Sequence, residues 1–93
     1  MKYVILGTLS SEWATRQSER VDSARIKLSE LGITLESYYY TQGPYDFVDV
    51  VDAPDSESIL AFSVWYAGKG YGRISTMPAF DDAVMKAVVQ RAS

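Results

Sequence analysis

No cysteine occurs anywhere in the chain, and no histidine. The first absence excludes a disulfide scaffold, a thiol nucleophile and thiolate-bound zinc. The second removes the commonest general base and the commonest transition-metal ligand. Any catalysis therefore falls to Tyr, Asp, Glu, Lys, Arg, Ser or Thr, and neither a cofactor nor a metal is expected. Positive charge is also scarce: nine Lys and Arg face twelve Asp and Glu, a net charge of −3. No basic cluster offsets it. Arg16, Arg20, Arg25 and Lys27 are interleaved with Glu12, Glu19, Asp22 and Glu30, which reads as a solvated helix face of mixed-sign pairs. Nucleic acid is not an expected partner. Long apolar runs are missing as well, since none approaches the ~20 residues of a membrane span. The run Tyr3–Leu9 after Lys2 stops at Ser10-Ser11-Glu12-Trp13 without a small-residue cleavage site, so it reads as a first strand rather than a signal peptide. A soluble cytoplasmic protein with no membrane contact is the expectation.

The 93 residues are 47% hydrophobic and 23% charged, the mix of one globular domain spanning 1–93. A domain this small buries only about 60–65% of the surface its unfolded chain exposes, so its core is thin and self-association is a common remedy.

Tyr3 to Thr8 is rich in β-formers and predicts a strand buried on both faces. Leu9 to Gln17 is polar and reads as a loop carrying Trp13. Val21, Ala24, Leu28 and Leu31 recur at helical spacing and predict a helix over Ser18–Leu31, with Ser18 as N-cap and Gly32 at C′. Ile33 to Thr41 predicts a second strand. Successive strand residues point to opposite faces, so Tyr38 and Tyr40 share one face while Tyr39 lies on the other with Ser37 and Thr41. Gln42-Gly43-Pro44 is turn chemistry and makes the next strand, Tyr45–Val51, a hairpin partner. Asp52-Ala53-Pro54-Asp55 then opens a second helix, with Pro54 suited to its first position and Asp55 and Glu57 to its positive end. Gly68-Lys69-Gly70 ends it. Tyr71–Met77 predicts a fourth strand, and Asp81–Arg91 a terminal helix.

That order is α+β: a ferredoxin-like βαββαβ arrangement with an extra C-terminal helix and a four-stranded antiparallel sheet. Helices cover one face of such a sheet, yet the strands here are apolar and aromatic on both. Two sheets paired face to face resolve this, so a homodimer or higher homo-oligomer through the sheet face is expected, a dimeric α/β barrel.

Gly43-Pro44-Tyr45-Asp46 with Val48, followed by Asp52-Ala53-Pro54-Asp55, resembles the GYD-domain family. Tyr3, Arg20, Tyr39 and Thr41 fit its wider pattern, and Arg73, Thr76, Ala79 and Phe80 resemble its R-T-x-x-A-F region. Asp52 stands where the family has Glu, and Ser10-Ser11-Glu12-Trp13 lacks its Thr-x-x-Gly element. The resemblance implies a small bacterial or archaeal ferredoxin-like protein of the dimeric α/β-barrel type, and no settled reaction.

Two groups of residues carry candidate chemistry. Tyr45 and Asp46 beside the turn offer a hydroxyl and a carboxylate to a polar ligand, or simply hold the turn. Tyr39, Thr41 and Asp49 form the second group. A carboxylate on an apolar strand face has its pKa raised if it is desolvated, and Arg73 is its candidate partner. Asp46, Asp49, Asp52 and Asp55 recur every third residue, which in a strand sends them to alternating faces, and they lack the glycine and terminal Glu of a calcium loop. Gly68, Gly70 and Gly72 lie between a helix and a strand, the reverse of a phosphate cradle. The RNA-recognition fold shares this topology but displays its aromatics on a basic sheet. What remains is a binding or assembly domain enclosing a small apolar ligand, a cofactor-independent oxygenase or isomerase acting on a small aromatic or polyketide-like molecule, or a structural partner of an enzyme. The first is favoured.

Overall fold

In the computed structural model, which describes all residues 1–93, the chain runs β1 (Lys2–Leu9), a 3₁₀ turn (Ser11–Trp13), α1 (Gln17–Glu30), β2 (Thr34–Tyr40), β3 (Phe47–Asp52), α2 (Ser56–Gly68), β4 (Gly72–Pro78) and α3 (Asp82–Ala92). The four strands form one open sheet in the order β2-β3-β1-β4, and every neighbouring pair is antiparallel. This is the split β-α-β order expected from the alternation of periodicities. No helix is long and apolar enough to cross a membrane.

Register decides which side chains meet the helices. Val51, Asp49 and Phe47 of β3 lie opposite Tyr3, Ile5 and Gly7 of β1, all on the helix side. On β2 the pairing slips by one residue between Leu35 and Ser37, a bulge that restores Tyr38 and Tyr40 to the helix side and puts Tyr39 on the other. Tyr3, Ile5, Phe47, Val51, Leu28, Ile59, Phe62 and Tyr66 join Ile33, Ala53 and Tyr71 in a single core between sheet and helices. An aromatic chain runs through it: Trp13 meets Tyr71 edge-on at 4.4 Å, Tyr71 meets Tyr66 at 5.4 Å, and Tyr66 meets Phe47 at 6.0 Å.

The strands are thus buried on one face only, and the expectation of double burial for β1 is corrected. Val4 and Leu6 are half-buried because no helix lies over the second face. On that face Tyr39, Val48, Leu6 and Ser75 form one cross-strand row, and Ser37, Val50, Val4 and Met77 form the next.

Several local expectations change at element ends. The polar stretch before α1 is a 3₁₀ turn, with Trp13 on Tyr71 and the Arg16 guanidinium stacked over its ring at 3.9 Å. Arg16, not Ser18, occupies the N-cap of α1, and its side chain reaches Glu19 instead of capping the backbone. At the other end Gly32 takes φ +73°, the left-handed C′ conformation that disfavours any side chain. Pro54 precedes the cap of α2 rather than opening the helix, because Asp55 takes the cap itself. Its carboxylate accepts from the Ser58 backbone N–H at 2.8 Å and from the Ser58 hydroxyl at 2.7 Å. An Asp55→Ala variant is expected to be less stable, read as a lower urea midpoint with an unchanged slope.

α3 is capped in the same way, Asp81 accepting from Val84 N–H at 2.9 Å. Yet every residue of α3 is exposed, including Val84, Met85, Val88 and Val89, which share one side of the helix. The chain is correspondingly drawn out: its radius of gyration is 14.6 Å, against about 12 Å for a compact domain of this length.

Candidate functional site

Arg20 lies one turn before Ala24 on the stripe that continues through Leu28 and Leu31, so the helix that buries Leu28 also buries Arg20. The residue is 4% exposed. This corrects its assignment to a solvated face: Arg16–Glu19 and Lys27–Glu30 are surface pairs as read, whereas Arg20 points inward. Its guanidinium sits 5.3 Å from the centre of the Phe47 ring. Its Nε and Nη2 donors, and the hydroxyl of buried Tyr66, make no hydrogen bond of good geometry, although Arg20 lies close enough to the Tyr66 hydroxyl for a strained one that favours the ionised phenol.

Around these groups α1, β2, β3 and α2 enclose a cavity of about 40 Å³, walled by apolar side chains such as Leu28, Leu35, Phe47 and Phe62. Asp49 faces it from β3, and Tyr38 and Tyr40 face it from β2. Two hydrogen bonds from α1 hold its mouth: Gln17 Nε2 donates to the Tyr40 hydroxyl at 2.7 Å and Arg25 Nη2 to the Tyr38 hydroxyl at 2.8 Å.

Burial pushes the Asp49 carboxyl up from 3.8 to about 6, with the Arg20 charge pulling against it. The four ion pairs of the chain are Met1–Asp52, Lys2–Glu36, Arg16–Glu19 and Lys27–Glu30, so Arg20 and Asp49 attract one another from beyond contact. Burial likewise pushes the Tyr66 phenol up to about 12, against the lowering effect of Arg20. Because folded Asp49 holds its proton more tightly than an unfolded Asp, the folded state loses ground as pH rises from about 4 through about 6. An Asp49→Asn variant is therefore expected to be about 2 kcal/mol more stable than the parent at pH about 8, with the difference vanishing below pH about 3. Urea denaturation at the two pH values checks this.

The six residues singled out from sequence do not form one site. Asp49 lies in the helix-side cavity. Tyr39, 67% exposed, and Arg73 lie on the opposite face of the sheet, so Arg73 is no partner for Asp49. Thr41, Tyr45 and Asp46 lie at the hairpin. The Thr41 hydroxyl donates to the Tyr45 carbonyl at 2.7 Å. The Asp46 carboxylate accepts from Leu9 N–H at 2.7 Å, which ties the hairpin to the end of β1. Asp46, Asp49, Asp52 and Asp55 do not converge. Arg20, Tyr66, Tyr38 and Tyr40 were not among the candidates. The signal for Arg20 was its stripe position, a charge where the helix needs an apolar residue.

A family model described as the GYD domain matches residues 3–89. The chain belongs to the GYD domain family. This GYD domain is also 28% identical over 81 residues to the glutamine synthetase and cystathionine beta-lyase binding protein of Thermus thermophilus, an alignment covering 83% of this chain and 85% of the relative. Of the motif residues that carry the resemblance, Asp46 and Asp55 both act on backbone N–H groups in this GYD domain.

Proposed function

We propose that this GYD domain is an assembly protein that works without a cofactor, pairing with a second copy through its open sheet face and docking as that dimer onto an enzyme. The observation that carries this reading is the patch of Val4, Leu6, Val48 and Val50, which are direct cross-strand neighbours with no helix over them. Monomers seldom leave a contiguous apolar patch in water. The patch is uncharged at its centre, and Lys2, Asp52 and Arg73 at its ends carry both signs, so a second copy brings no like-charge field. Two such sheets meeting face to face close a dimeric α/β barrel. The apolar side of α3 would then have the second copy to lie on.

The relative is named as a binding protein for two enzymes, which supports a partner role here. The cofactor-independent enzyme reading is weaker on size. A cavity of about 40 Å³ falls well short of the ~150 Å³ that accommodates a benzene ring. Size-exclusion chromatography with light scattering should give twice the chain mass at micromolar concentration. Analytical ultracentrifugation with purified glutamine synthetase from the same organism should show co-sedimentation. A monomer would sink the pairing, and a dimer that ignores the enzyme would sink the docking.

A further inference from the structure

We propose that the Arg20 cavity is a receptor for a small organic carboxylate, gripped by the Nε and Nη2 edge of the guanidinium with the Tyr66 hydroxyl as a third donor. The two unpartnered nitrogens are not a random pair. They form the edge whose N–H bonds run parallel, the fork that matches two carboxylate oxygens. The same edge of Arg16 is already in use on the surface, where Nε and Nη2 both donate to Glu19 Oε2 at 3.1 and 2.8 Å. On Arg20 that edge is buried and makes no hydrogen bond of good geometry, with only the Tyr66 hydroxyl close by. Leaving charged donors without acceptors inside a protein costs several kcal/mol, and Asp49, whose carboxylate lines the same cavity, stands outside ion-pair distance.

Shape and surroundings narrow the ligand. The cavity, about 40 Å³, has room for a bare carboxylate head and for no chain or ring behind it. The walls at Leu28, Phe47 and Phe62 offer that head no competing polar partner. A phosphate is disfavoured because its second charge and tetrahedral bulk would face both the apolar wall and Asp49. The site is on the helix side of the sheet, so it does not depend on how the open face is covered.

Asp49 makes binding responsive to pH. Around it stand Arg20 and Arg25 from α1, Tyr38 and Tyr40 from β2 and Tyr66 from α2, with the apolar Ile5 of β1 beside it in the sheet. When ionised, Asp49 repels an incoming carboxylate. When protonated, it does not, and it can donate to the ligand.

The test is an NMR titration of the ¹⁵N-labelled chain with formate, following the Arg20 Nε–H resonance, with neutral formamide as control. Formate should give a saturable millimolar shift that formamide does not. Binding should tighten about tenfold between pH about 7.5 and about 5.5, as Asp49 takes its proton. Asp49→Asn should flatten that dependence, Tyr66→Phe should weaken binding several-fold, and Arg20→Met should abolish it. Equal shifts with formamide, no saturation at either pH, or unchanged binding in Tyr66→Phe together with an unaltered pH profile in Asp49→Asn would overturn the proposal. The cavity would then hold water only. The last two variants leave Arg20 in place, so the outcome stands even if Arg20→Met does not fold.

Discussion

A Leu6→Asp chain is expected to elute as a monomer where the parent is expected to elute as the proposed dimer. Leu6 lies at the middle of the open face, directly opposite Val48 on one side and Ser75 on the other. In a two-fold pair the substitution enters twice, setting two carboxylates near one another in an interface with no cation at its centre. An uncompensated buried charge costs about 3 kcal/mol or more, which corresponds to a dissociation constant raised at least about a hundredfold. The cost in the separate chain is smaller, because Leu6 is only half-buried there. Circular dichroism should therefore still report helices and strands, at reduced thermal stability. Asp49→Asn, on the other side of the sheet, should remain dimeric. If Leu6→Asp stays a dimer, the copies do not meet through this face.

How much of this was legible beforehand differs between fold and site. Strands, helices and the hairpin follow from local patterns: the β-forming runs Tyr3–Thr8 and Tyr45–Val51, the Val21–Leu31 stripe, Gly43-Pro44 at the turn and Gly32 after α1. Tyr38 and Tyr40 could be placed together, and Tyr39 apart from them, because parity within one strand needs no partner. Parity between strands does. Asp49 pairs with Ile5 on the helix side, whereas Arg73 pairs with Thr8 on the open side. A register shifted by one residue would have reversed either assignment, and composition does not set register. Arg20 was hidden for another reason. Its charge invited a solvated reading, and its neighbours Arg16 and Glu19 do form such a pair, but stripe position outranks charge when the helix packs. Tyr66 was hidden among the apolar residues of α2, where a buried phenol looks like one more ring. The α3 stripe was readable, but nothing local says whether a stripe has a seat.

Gly7→Ala is expected to lower stability by about 3 kcal/mol and to disturb the Arg20 cavity from a position outside it. Gly7 is buried on the helix side of β1, opposite Phe47 on β3 and Ile74 on β4. A Cβ there would fall within the Phe47 ring, which lies across the glycine in the space a side chain would take. Phe47 can retreat only toward the cavity it walls, where the Tyr66 ring stands 6.0 Å away and the Arg20 guanidinium 5.3 Å away. Overpacking a core costs typically 1–3 kcal/mol, and the direct overlap of the added methyl group with the ring puts this case at about the upper end. For a domain of this length that is a melting temperature lower by about 15 °C. A displaced Phe47 must also shift Arg20, so the Nε–H resonance should move even without ligand. Phe47→Leu in the Gly7→Ala background should restore part of the stability, since the smaller side chain makes room for the methyl group. The resulting double-mutant cycle should show a coupling of at least about 1 kcal/mol. Additive effects would mean that the ring does not depend on the bare backbone beneath it. The buried guanidinium would then owe its place to α1 alone.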